Sequence, residues 1–280
     1  MLDSSTTLSY RALIRQLAGD ESDYTRGCAA LSLGQAREMR AVEPLMEAMS
    51  DQSPWVRGWA AFALGQLQDP IGLSPLCRAL ADEDPWVRQQ AADALVHFES
   101  SLADDALLQT LQRQDPLGRS WAIHTIARRG DAAVAMDLVP FLEDEGRPVR
   151  LSAVRALYTL GQSEAIAPVR MFMNDPDEHL RGAAAYALGA LGDKDSVPAL
   201  SSALSDSKVW VRRNAAWALL QLGESLHLVA SMSEDPDTGV RAFARHASLR
   251  IQIEDSKDAA PPPSRRRRYY SSEGGTRSSV

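Results

Sequence analysis

Two cysteines in 280 residues, Cys28 and Cys77, lie far apart in the chain and offer neither a disulfide framework nor a metal-binding spacing, so both are read as reduced thiols. Histidine is nearly as scarce, and the five present are too widely separated for a short-spaced metal motif. No glycine-rich phosphate loop follows a strand and no nucleophile elbow appears, which leaves a non-enzymatic role as the default. Long apolar runs are missing as well, and Met1 to Tyr10 lacks the basic-then-apolar order of a secretory signal. No membrane insertion and a cytoplasmic location are therefore expected. Excess positive charge is absent too. The net charge is −7, and the segment from Asp255 to Val280 carries net +3, which leaves −10 on the rest. An acidic body argues against wrapping duplex nucleic acid, where a basic face is needed.

What the chain has in abundance is repetition. Arg26, Arg57, Arg88, Arg119, Arg150, Arg181 and Arg212 follow one another at 31 residues, and Arg241 comes 29 later. A fixed period means one structural unit copied about eight times. Alanine stands three residues after every one of these arginines, from Ala29 to Ala244. Six residues before them stands Asp20, Asp51, Asp82, Asp144, Asp175, Asp206 or Asp235, with Arg113 as the exception in the fourth unit.

Positions minus one, plus three and plus seven about the arginine are apolar in most units and share one face of a 3.6-residue period, so they form the core. Asp-Pro or Asp-x-x-Pro marks the helix starts, as at Asp51 to Pro54 and Asp115-Pro116. Gly34, Gly65, Gly130, Gly161, Gly192 and Gly223 read as helix stops, each before a second apolar segment such as Val197 to Leu204. No segment alternates with period two. The expected fold class is all-α, each unit being helix, turn and helix.

Asp51, Val56-Arg57 and Ala60-Ala61-Phe62-Ala63-Leu64-Gly65 carry a pattern that resembles HEAT repeats, in the short alanine-rich form found in phycobilisome lyases and many other prokaryotic proteins. The resemblance runs over about residues 10 to 250. It implies an α-solenoid of about eight repeats, assigned here to residues 1–254, followed by a disordered Pro/Arg/Ser-rich tail over 255–280. It also implies that the Asp and Arg series form a hydrogen-bonded ladder between units rather than catalytic groups, and that the arginine-bearing helices line the concave surface. Deoxyhypusine hydroxylase, another HEAT-like protein, is set aside because its His-Glu dipeptides have no counterpart here.

With the core face assigned, offsets of minus two, plus two, plus five and plus nine define the opposite stripe. All six tryptophans fall on it: Trp55, Trp59, Trp86, Trp121, Trp210 and Trp217. Tyr24, Phe62, Tyr186 and Phe243 join them, with Cys28, Asp93, His97, His124, Arg128, Arg155, His179 and His246 interspersed. Large aromatics gathered on one outward face mark a binding groove. The competing reading for Trp55, Trp86 and Trp210 is packing over the first turn of the neighbouring repeat. The candidate groove is Tyr24, Trp55, Trp59, Phe62, Trp86, Asp93, Trp121, His124, Arg128, Arg155, Tyr186, Trp210 and Trp217; no catalytic or metal-ligating residue and no cofactor is expected.

Two functions are consistent with this. The first is a protein-binding scaffold or chaperone-like adaptor that grips its partner in the groove. The second, implied by the family resemblance, is a phycobilin lyase or lyase-like protein that handles a linear tetrapyrrole for attachment to a phycobiliprotein cysteine, with a second lyase-type subunit as the implied companion. In that case Trp59 and Trp121 cover the pyrrole rings, Arg128 and Arg155 pair with propionates, and Asp93 or a histidine holds the pyrrole nitrogens. The fourth unit, with Arg113 and with Gly118 before Arg119, is the expected soft point.

Overall fold

Asp84 shows one way a unit begins: its carboxylate accepts hydrogen bonds from the backbone N–H groups of Trp86 at 2.8 Å and Val87 at 3.3 Å, and Pro85 supplies a φ already suited to the first helical turn. Asp115 repeats the device at Leu117 and Gly118. The computed structural model describes residues 4–98 and 101–258. A leading helix, α1 (Ser4–Gly19), is followed by arginine-bearing helices that alternate with shorter segments. These are α2 (Asp23–Gln35) then α3 (Val42–Ala48), α4 (Pro54–Leu67) then α5 (Leu73–Ala79), and α6 (Pro85–Val96) then α7 (Ser101–Thr110). The second half holds α8 (Pro116–Arg129), α9 (Arg147–Thr159) then α10 (Ile166–Met171), and α11 (Glu178–Ala190) then α12 (Val197–Ala203). It closes with α13 (Val209–Leu222), α14 (Leu226–Ala230) and α15 (Thr238–Asp258).

The chain is thus an all-α solenoid, and no strand occurs among the described residues. Between α8 and α9 the second segment is a 3-10 stretch, Ala132–Glu143, which contains Pro140; proline cannot donate the helical hydrogen bond, so no regular α-helix forms there. The last helix continues past residue 254 to Asp258, and the rest of the expected tail lies outside the described residues.

The core follows the sequence period. Val56, Ala60 and Leu64 are buried, as are Val87, Ala91 and Leu95, Val149, Ala153 and Leu157, and Leu180, Ala184 and Leu188. Arginine-bearing helices of successive units lie side by side, α2 on α4, α4 on α6 and α11 on α13. Small residues set their spacing. A Cβ added to Gly34 would lie 2.6 Å from the Ala63 Cα, and one on Gly65 would lie 2.6 Å from the Ala94 Cβ. Gly34 and Gly65 are buried inside their helices and are close-packing positions, not stops. The turn that ends those two helices instead places Arg37 (φ 49°) and Gln68 (φ 55°) in the left-handed region, where the later units use Gly130, Gly161, Gly192 and Gly223.

The Asp and Arg series form the ladder that the family resemblance implies. Within a unit the arginine clamps the loop ahead of its own helix, as Arg57 Nη1 does on the carbonyls of Asp51 at 2.9 Å and Gln52 at 3.1 Å. Its remaining edge chelates the aspartate of the next unit, Nε and Nη2 each lying 2.8 Å from Asp82. Arg26 with Asp51, Arg181 with Asp206 and Arg212 with Asp235 repeat this two-point pairing, and Arg119 meets Asp144 through Nη2 alone. Planar guanidinium and carboxylate fit one another bidentately, so each full rung fixes orientation as well as distance. Two rungs are missing among the described residues. Arg88 has Arg113 where its acid belongs, and Arg150 forms no bond to Asp175 although both residues are present. A cleft of about 1070 Å³ opens there, lined by Leu142, Arg150, Met171, Phe172 and Asp175.

Candidate functional site

None of the thirteen candidate groove residues is buried, although Trp59, Trp86, Trp121 and Trp217 rest one side against the core. Tyr24 is 67% exposed, Trp210 39% and Trp55 37%, whereas Trp59, Phe62, Trp86, Trp121, Tyr186 and Trp217 are half-buried. The rings form contiguous clusters. In the first, Tyr24, Trp55 and Trp86 stack along successive units with centroids 6.2 and 5.6 Å apart. Trp59 stands edge-on to Trp55, Trp86 and Phe62 at 5.4, 5.7 and 5.6 Å. Its indole Nε1 is buried without a conventional hydrogen-bond partner, and edge-on packing against π faces suits such an N–H. In the second cluster Tyr186 lies between Tyr158 at 5.1 Å and Trp217 at 4.1 Å, the latter pair stacked.

The tryptophans two residues before the arginine also have a packing function. A Cβ on Gly27, Gly58 or Gly182 would run into the indole of Trp55, Trp86 or Trp210 respectively. Each of these glycines directly follows a ladder arginine and precedes its tryptophan by 28 residues, so a glycine notch on one unit seats an indole from the next. The exposed edges of the same rings remain part of the outward face.

Between the two clusters the groove is polar. A pocket of about 400 Å³ between α8 and α9 is lined by Ser120, Trp121, His124, Arg128, Ser152, Arg155, Tyr158 and Thr159 among others. The imidazole of His124 stands edge-on to Trp121 at 5.6 Å. Desolvation, followed by the neighbouring Arg128 and Arg155 guanidiniums, holds the His124 pKa below its usual value against the weaker opposing pull of Asp93. Asp93 and Arg128, both candidate ligand contacts, are joined to each other at 2.7 Å. Arg155 is exposed and lines both this pocket and the adjoining one with Tyr186, Trp210 and Asn214. Asp93 and Phe62 lie together in a separate recess with His97. Cys28 is half-buried and Cys77 buried, and burial pushes the Cys77 thiol pKa upward. Among the described residues no group of three or more His, Cys, Asp or Glu side chains is disposed to hold a metal ion, and no helix is long and apolar enough to cross a membrane.

A family model described as HEAT repeats matches residues 10–96, 104–187 and 169–248, and the chain belongs to that family. No curated protein sequence matches significantly. Among solved structures, the YibA protein of Escherichia coli is 19% identical with a TM-score of 0.58, over 90% of this chain and 98% of that one. Kap95p, described as binding RanGDP, is 15% identical with a TM-score of 0.63, over 90% of this chain and 40% of that one. The CpcE–CpcF complex of phycocyanin lyase from Nostoc is 22% identical over 88% of this chain and 94% of that one, with a TM-score of 0.39. These identities show a shared fold alone, and the last overlap carries no argument about function.

Proposed function

We propose that this HEAT-repeat protein is a binding scaffold or adaptor whose tryptophan-lined groove holds a segment of a protein partner. The observation that carries the reading is the first ring cluster, in which Tyr24, Trp55, Trp59, Phe62 and Trp86 form one partly exposed apolar surface across three successive units. Buried aromatic anchors dominate the energetics of protein interfaces, and a solenoid presents them over the length of an extended segment. Arg155 and the Arg128–Asp93 pair beside the central pocket favour an occupant with both apolar and acidic side chains.

Pull-down from the native source with wild-type protein and with the Trp59→Ala, Trp121→Ala and Trp217→Ala triple variant tests the reading. Loss of a specific partner in the variant, at unchanged helical circular dichroism, is expected. Equal recovery of the same partner by both proteins would remove the groove from the binding surface.

The central pocket also favours a second reading, as a lyase-like handler of a linear tetrapyrrole. Trp121 offers a ring face, Arg155 a cation for a propionate, and His124, kept neutral at pH 7, a hydrogen-bonding nitrogen. Mixing the purified protein with a linear tetrapyrrole and recording visible absorption tests it. The expected result is a shifted band that Arg155→Ala abolishes, and an unchanged spectrum would dismiss this reading.

A further inference from the structure

At the junction of the third and fourth units the ladder position that is aspartate in every other unit holds Arg113. The backbone there keeps the ladder arrangement. Arg119 Nη1 donates to the Arg113 carbonyl at 2.8 Å, as Arg57 Nη1 does to the Asp51 carbonyl at 2.9 Å. Arg88 is oriented like the other ladder arginines, its Nη1 held by the carbonyls of Asp82 at 2.7 Å and Glu83 at 2.9 Å. In Arg57 the same anchoring presents Nε and Nη2 to an aspartate. In Arg88, Nε is buried and has no hydrogen-bond partner. Arg113, on the exposed loop, donates Nη1 to the Cys77 carbonyl at 3.3 Å, and neither guanidinium has a carboxylate partner among the described residues. The Trp121 ring, 5.7 Å from the Arg88 Cζ, stands beside the fork.

A half-buried guanidinium fork and a second cation without a counter-charge are costly to keep together, and an anion that joins them is favoured by both. We propose that this junction is a binding site for a carboxylate, which takes the role of the absent aspartate by accepting from the Nε–Nη2 edge of Arg88 while Arg113 adds a second positive charge. A carboxylate suits the place better than a phosphate because the sister rungs show this fork chelating a planar two-oxygen group. The site lies at the ladder, and Trp121 is the one groove residue beside it.

Thermal unfolding of the full chain in sodium succinate, against sodium chloride at matched ionic strength, tests the site, with Arg113→Asp and Arg88→Gln as comparison variants. Succinate at about tenfold excess over its Kd is expected to raise the Tm of wild type by roughly 3 to 6 °C. Arg113→Asp, which rebuilds the rung, is expected to start at a higher Tm and not respond, and Arg88→Gln is expected not to respond. N-acetylglutamate amide in a parallel titration mimics a protein side chain: a response to both probes assigns the site to an acidic partner residue, and a response to succinate alone assigns it to a free small acid. Equal shifts in wild type and both variants, no shift with either probe, or a stronger response to inorganic phosphate would overturn the proposal.

Discussion

The six-membered ring of Trp86 lies directly against the backbone of Gly58, so that a Cβ at Gly58 would stand 2.5 Å from both Cε3 and Cη2 of the indole. Gly58 is inside α4, where alanine is intrinsically favoured over glycine by about 1 kcal/mol. Overpacking of a tight contact costs about 1–3 kcal/mol, and here it forces a large ring to move. Gly58→Ala is therefore expected to lose about 1–2 kcal/mol in urea unfolding. Tryptophan fluorescence of the same variant is expected to change, since Trp86 stacks on Trp55. A stabilised variant would show that the indole does not occupy the notch.

The pH dependence of stability follows from the ladder. Hydrogen bonds from Arg26, Arg181 and Arg212 hold Asp51, Asp206 and Asp235 below the usual carboxylate range, and Arg147 holds Asp177 at about 2. Unfolded aspartates titrate near ~3.9. Depressed folded values mean that the contribution is fully present above that pH and is lost as pH falls through the folded pKa values, between about 4 and 2 for Asp177. Urea midpoints are expected to decline gently from pH 6 to 5, because unfolding frees His124 to take up a proton that the folded site resists, and to fall steeply below 4. The fall is expected to be shallower in Arg26→Met, which has one rung fewer; identical slopes would deny the rung its role.

Arg37 holds a left-handed φ of 49° at a position where four later units have glycine. Left-handed backbone costs a non-glycine residue roughly 1–2 kcal/mol, and the added freedom of glycine in the unfolded chain returns about 0.4–1 kcal/mol of that. Arg37→Gly is expected to gain about 0.5 kcal/mol. Gln68→Gly is expected to gain less, because the Gln68 amide also donates to the His97 carbonyl at 2.9 Å. Chemical denaturation of the two single variants ranks them directly.

Much of this architecture is legible in the sequence because local rules and the repeat agree. Val56, Ala60 and Leu64 announce a buried face through their spacing alone, and Trp59, Trp121 and Trp217, placed outward by the same wheel, are half-buried with one side against the core. Three features escaped for a physical reason: they belong to contacts between units. Gly34 and Gly65 resemble helix stops locally, whereas their purpose is to admit Ala63 and Ala94 from the next helix. A signal was available in the 28-residue interval from Gly27, Gly58 and Gly182 to their tryptophans. The missing bond between Arg150 and Asp175 left no trace, since both residues are retained and only the irregular Ala132–Glu143 segment nearby departs from the pattern.

The fourth unit, expected to be soft for want of an aspartate at Arg113, has a replacement fastening. Arg129, near the end of α8, donates to Asp104 of α7 through Nε at 2.6 Å and Nη2 at 3.0 Å. Its Nη1 also reaches the carbonyls of Leu95 at 2.6 Å and Phe98 at 3.0 Å, so one guanidinium ties α8 to α7 and to the end of α6. Both side chains are largely buried, at 11% and 12% exposure. Breaking a buried pair by removing one partner leaves an uncompensated charge and costs about 3–5 kcal/mol, while an exposed pair is worth about 0–1 kcal/mol. Asp104→Ala is therefore expected to destabilise the protein several-fold more than Glu224→Ala, which removes the exposed partner of Lys194. Native-state hydrogen exchange should show where the loss falls: amides of α6, α7 and α8 are expected to exchange faster in Asp104→Ala, with those of α11 and α13 protected as in wild type. Uniform loss of protection along the array would mean instead that the solenoid unfolds as one cooperative block and that this junction is no weaker than its neighbours.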